Sequence, residues 1–270
     1  MRFRSVRHVV THRSLARTTV LVASLAVSTV LPAQPLPLQS PDVDTAAVQA
    51  LRRMGAQLRT LQRFTVKAET ERDVVTAGGQ KVQVDGTFQY DVRRPNGLHA
   101  DIKTDRKERQ LFYDGKTLTI YAPHMNYYAS AAAPSTIGGV VDTLEERLGI
   151  ELPIADLFRW GTERDGVRDI TAAWYVGPAS IEGVETDQYA FRQEGTDWQI
   201  WIQRGAQPLP RKIVVTTTSE PSQPQYVATL TWDVNARPAD SLFTFTPPAN
   251  AKRIRLRPAA DVAAAEPPER

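Results

Sequence analysis

Few side chains in this 270-residue chain are placed to do chemistry. His124 sits in Pro123-His124-Met125, with Tyr127, Tyr128, Ser130 and Ser135 close behind it. A nucleophilic serine needs a base within hydrogen-bond reach and a third group to orient that base. This stretch would therefore suit hydrolysis if the fold joined His124 to one of those serines, whereas a solvated histidine in a turn is the plainer reading. His99 alternates onto the polar side of its strand. Gly115-Lys116-Thr117 copies the end of a phosphate-binding loop, but the glycine needed five residues earlier is Gln110, and the triplet leaves a hairpin turn for a strand. Neither a Gly-x-Ser-x-Gly elbow nor His-Glu-x-x-His is present. Zero cysteines remove thiolate metal sites, cysteine nucleophiles and anchoring through a lipidated N-terminal cysteine. Glu145 and Glu146 are adjacent on a helix, so they point about 100° apart and form no carboxylate pair by themselves. No pattern calls for a cofactor or a metal.

Aromatic residues offer binding instead. They recur on strands of both halves of the chain, and an ordinary core is one account of them. Trp198 and Trp201 qualify that account: three positions apart on one strand, they stand on opposite faces. A sheet with apolar groups on both sides can pack one face against structure and turn the other to a groove suited to an acyl chain or another apolar ligand.

The elements that must position these residues follow from periodicity. After a proline-rich linker at 34–41, Asp42 or Asp44 can cap a helix of about 18 residues whose stripe is Val48, Leu51, Leu58 and Leu61, with Met54 beside them. From Phe64 to about Ser130 the period is two, broken by turns at Gly78-Gly79, Pro95-Asn96-Gly97 and Asp114-Gly115. Residues 131–160 interrupt the strands. Ser135 or Thr136 can cap a helix running to about Leu148 and stopping at Gly149, and Pro153 can open a second short helix carrying Ile154, Leu157, Phe158 and Trp160. This segment is either a lid or a plain connector. Strands resume over 172–176, 185–193, 198–203, 212–218 and 226–234, and Phe243-Thr244-Phe245-Thr246 can add an edge strand. About ten strands with few helices make a mainly β protein built on one large antiparallel sheet, which must curl, close or split. Short helices can bury their apolar sides only against that sheet.

Residues 1–33 contain five arginines and no acid, followed by an apolar run from Thr18 to Pro32 and then Ala33. This is the pattern of a cleaved secretory signal peptide, with a short uncleaved tether as the alternative. The whole chain has 33 basic and 30 acidic residues; without the leader there are 28 against 30, a net charge of −2. Bulk basicity therefore gives no argument for nucleic acid. Residues 42–256 read as a single domain, and 257–270, rich in Ala, Pro and charge, as a disordered tail.

The run Tyr113-Asp114-Gly115-Lys116-Thr117-Leu118-Thr119-Ile120-Tyr121, then Asn126-Tyr127-Tyr128-Ala129, resembles a family of predicted periplasmic proteins, domain of unknown function 2092. So does Ile137 through Asp142 leading into Leu144-Glu145-Glu146-Arg147-Leu148-Gly149-Ile150-Glu151-Leu152-Pro153. That family is similar to the LolA/LolB lipoprotein-carrier superfamily. The resemblance implies an incomplete antiparallel β-barrel with helices on its concave side, and a periplasmic carrier for a lipid, an acylated protein or another hydrophobic ligand. Candidate lining residues are Leu144, Leu148, Leu157, Phe158 and Trp160 from the helices, with Phe112 and Tyr121 from the sheet. An envelope-protein interaction module with a filled core is the alternative, and a hydrolase using His124 is a third.

Overall fold

The computed structural model describes residues 43–105 and 107–257. The expected signal peptide (1–33), linker (34–41), the alternative cap Asp42 and all of the expected tail beyond residue 257 lie outside them.

Helix α1, Thr45–Thr60, begins where the capping pattern places it. The Asp44 carboxylate accepts a hydrogen bond from Ala46 N at 2.8 Å, satisfying one of the helix's orphan amides. Its buried side is Ala47, Ala50, Leu51, Met54 and Leu58, each large apolar side chain contributing about 1.5–3 kcal/mol.

Twelve strands follow. The first six are β1 (Arg63–Val75), β2 (Lys81–Arg93), β3 (Gly97–Thr104), β4 (Glu108–Tyr113), β5 (Thr117–Ala122) and β6 (Tyr127–Ala132). After an irregular segment come β7 (Ala172–Ile181), β8 (Val184–Gln193), β9 (Thr196–Gln203), β10 (Pro210–Thr217) and β11 (Gln225–Asp233), with the two-residue β12 (Lys252–Arg253) last. They form one sheet in the order β12-β6-β5-β4-β3-β2-β1-β11-β10-β9-β8-β7. All pairings are antiparallel except β12 with β6. The end strands β12 and β7 do not pair, so the curved sheet is an incomplete barrel.

Register sorts side chains between two faces. The inner face carries Phe64, Val66, Tyr90, Val92, Leu98, Leu111, Tyr113, Leu118 and Leu230, buried with α1 in one core. Trp198 and Trp201 divide as their spacing requires: Trp198 stacks on Phe191 inside (4.3 Å between centroids), and Trp201 lies under Lys212 Nζ outside at 5.4 Å.

The outer face is not the mixed polar surface that alternation suggests. Residues 239–254 cross it as a strap. Asp240 Oδ1 accepts from Arg93 (2.8 Å) and Arg63 (3.3 Å), and Phe243 is buried beneath Arg93. Phe245 inserts among Phe112, Tyr121 and Tyr128 at 5.1–5.3 Å between centroids. Lys252 N and Ile254 N then donate to Asn126 O and Tyr128 O. Phe243 thus lies in a 3-10 turn, Asp240–Phe243, rather than in an edge strand over 243–246, and the edge strand falls at Lys252–Arg253. Under the strap, His99 is buried against Phe112 with its Nδ1 3.4 Å from Asp91. Burial works to raise the Asp91 carboxyl, but hydrogen bonds from His99, Thr65 and Gln89 hold it below the usual range.

Candidate functional site

Residues 134–166 pack on the inner face, tied down by two buried tyrosines. Tyr113 Oη donates to Pro134 O at 2.5 Å, and Tyr90 Oη to Pro153 O at 2.6 Å. The first expected helix is α2, Ile137–Asp142, capped by the Thr136 hydroxyl, but it runs on as a π-helical turn, Thr143–Arg147. The second is a single 3-10 turn, Ala155–Phe158, because Ile154 takes the left-handed conformation at φ 48°. A β-branched residue there is a strained exception, of order 1–3 kcal/mol, held by its surroundings. Arg159 joins the two halves of the segment. Its guanidinium donates to Glu145 and to Asp142 (3.3 Å), and Arg164 reaches Asp142 at 2.5 Å.

Between this segment and the sheet lies a cavity of about 900 Å³, within the range of small-molecule sites. Its floor includes a row running across four strands: Trp198, Val215, Tyr226 and Arg72 stand opposite one another on β9, β10, β11 and β1. Ile213 extends the floor, and Leu152, Ile154 and Trp160 face it from the other wall. Trp198 Nε1 and Tyr226 Oη are buried with no hydrogen bond of normal length and angle. Burial raises the Tyr226 phenol far above its usual value, with Arg72 and Thr70 pulling weakly the other way. An unpartnered buried polar group costs about 1–3 kcal/mol, a cost the floor already bears in the free protein.

The sequence candidates divide. Leu144, Leu157 and Phe158 are almost wholly buried in the core, and Leu148 is half-buried against it. Trp160 is buried and also lines the cavity. Phe112 and Tyr121 stand on the opposite face of the sheet, under Phe245, so they share no groove with the other five. Alternation is the reason: β4 reads Leu111-Phe112-Tyr113, apolar on both sides, and parity does not say which side is inside. Ile213, Val215 and Tyr226 were not among the candidates, though the alternation of β10 and β11 places them with Trp198.

The catalytic motifs find ordinary positions. His124 lies in the 3-10 turn Pro123–Met125, largely exposed, with Nε2 3.4 Å from Glu108. The Ser130 hydroxyl is 2.8 Å from that of Thr119. At Gly115-Lys116-Thr117, with Gly115 at φ 98°, Asp114 Oδ1 accepts from both Lys116 N and Thr117 N, filling the amides a phosphate would need. Among the described residues no helix is long and apolar enough to cross a membrane.

The model of the family described as "Predicted periplasmic protein (DUF2092)" matches residues 47–257. No curated protein matches the chain. Among solved structures, the chain is similar to an uncharacterized conserved protein from Thermus thermophilus (10% identity, 78% of this chain and 99% of that one, TM-score 0.43). It is also similar to the lipoprotein LppX of Mycobacterium tuberculosis (12%, 70% and 94%, 0.43). A third is a LolA superfamily protein from Nitrosomonas europaea (11%, 74% and 98%, 0.34).

Proposed function

The chain belongs to the family of predicted periplasmic proteins, domain of unknown function 2092, and on that premise we propose that it is a non-enzymatic periplasmic binding protein for a hydrophobic ligand: a lipid, an acylated protein or a similar amphiphile. The observation that carries this is the cavity floored by Trp198, Ile213, Val215 and Tyr226. An apolar floor of this kind gains about 25 cal/mol per Å² of apolar surface covered, before the cost of association. The two histidines of the described residues lie away from it, one under the strap and one on the β5–β6 turn. The test is titration of protein recovered from periplasm with dodecyl maltoside below its micelle concentration, followed by thermal unfolding. Saturable one-to-one binding with a raised Tm is expected, and Val215→Asp should abolish it with the fold intact. No saturable binding, or binding unchanged in the variant, contradicts the proposal.

A second reading has its own observation. Edge strand β7 exposes Trp174, Tyr175 and Val176 in sequence, and an apolar edge suits strand addition by an envelope protein. Trp174→Lys should weaken capture of such a partner without altering detergent binding; equal effects on both remove this reading.

A further inference from the structure

The rim of the cavity differs sharply from its floor. Its lining includes eight carboxylates against three guanidinium groups. Two of the three are already committed: Arg159 to Glu145 and Asp142, and Arg164 to Asp142. Asp73 pairs with Lys81 at 3.2 Å, outside the lining, and the remaining lining carboxylates still outnumber the three guanidinium groups. Glu151 has no ion-pair partner among the described residues, and Glu146 reaches Arg164 at 3.9 Å. Asp156 lies 3.9 Å from Arg159, with its side chain 64% exposed while it lines the cavity.

Resting on the binding reading above, we propose that the cavity selects amphiphiles with a cationic head group: the alkyl chain covers the row Trp198–Val215–Tyr226, and the head sits among Asp156, Glu151 and Glu146. Charge complementarity is the argument. A cation entering this rim meets exposed, incompletely paired carboxylates, and added salt screens the attraction. An anion meets the same groups as repulsion, and among the described lining residues Arg72, at the sheet side of the floor, is the one guanidinium without an ion pair. Surrounding protein raises the Asp156 carboxyl, Arg159 only partly opposing this and nearby Glu145 adding to it, as expected of a carboxylate short of a cation.

The test uses three probes of one chain length: dodecyltrimethylammonium, dodecyl maltoside and laurate, each below its micelle concentration, with Kd measured at low and high salt. The trimethylammonium probe is expected to bind roughly tenfold more tightly than the maltoside at low salt, and laurate more weakly than either; added salt should compress the series. The double variant Glu151→Gln, Asp156→Asn should erase the cationic advantage and leave the maltoside Kd unchanged. Laurate binding as tightly as the cation, or a cationic advantage that survives the double variant, overturns the inference while leaving the binding reading in place. If none of the three binds, the binding reading itself falls and this inference with it.

Discussion

Gly55 of α1 and Gly161 of the inner segment meet backbone to backbone. A Cβ on Gly55 would stand 2.7 Å from Gly161 N, and one on Gly161 2.6 Å from Gly55 O. Gly161 also holds φ at 74°, a conformation side chains disfavour. This contact holds Trp160, which lines the cavity, against α1.

Gly55→Ala should therefore push the segment off α1. A destabilisation of about 1–3 kcal/mol is expected from overpacking, measured by urea unfolding, together with weaker detergent binding. Gly161→Ala should cost at least as much, because it adds backbone strain to the same clash. A neutral Gly55→Ala would mean that the segment moves freely.

The tyrosine anchors make a matched pair of tests. Tyr90→Phe removes the hydrogen bond to Pro153 O beside strained Ile154, and Tyr113→Phe removes the one to Pro134 O. Each should cost about 1–3 kcal/mol by leaving a carbonyl unpaired. Only Tyr90→Phe should change detergent affinity, because Pro153 lines the cavity and Pro134 does not. Equal changes in both variants would show that the cavity responds to global stability alone.

Some of this architecture follows from residue spacing. The α1 stripe and its Asp44 cap, the Asp114-Gly115 hairpin and the split of Trp198 from Trp201 are local patterns, and the structure has them. The strap is not local. Phe243 and Phe245 find Arg93 and Phe112 more than 130 positions away in sequence, and nothing in their own spacing names those partners. Without the strap, Phe112 and Tyr121 look equally suited to a ligand groove and His99 looks solvated. The inner segment is harder still, because the π turn and the left-handed Ile154 are set by what they pack against. The floor of the cavity lies between these cases: Val215 and Tyr226 alternate correctly, but only the register of β10 with β11 puts them in one row with Trp198.

The strap can be tested as a separate unit. Phe243→Ala should cost about 3–5 kcal/mol and raise hydrogen exchange at Lys252 and Ile254, which close β12. Detergent binding in the inner cavity should persist in protein that remains folded. Loss of binding at unchanged fold would tie the two faces together.

The Asp91–His99 pair predicts acid sensitivity. The native Asp91 carboxyl titrates below its unfolded value near 3.8. Its contribution is therefore present above that value and is lost as pH falls through the lower native pKa. Asp91→Asn should lower stability by about 1–3 kcal/mol at neutral pH and flatten the stability profile below pH 4. An unaltered acid limb would show that other carboxylates govern it.

Asp156 has the opposite sign. Its native carboxyl titrates above the unfolded value, so the ionised group lowers stability at neutral pH, and its contribution recovers as pH falls through the native pKa. Asp156→Asn should raise the Tm of the free protein slightly and weaken dodecyltrimethylammonium binding severalfold. A lowered Tm would mean that the contact with Arg159 outweighs the opposing effect of the surrounding protein and Glu145.

The most direct test of the central claim is mass spectrometry under native conditions of protein recovered from periplasm without detergent, with lipid extraction of the same sample. A stoichiometric, non-covalently held amphiphile is expected, absent from folded Val215→Asp. A clean apoprotein mass that stays unchanged after incubation with envelope lipids would contradict it.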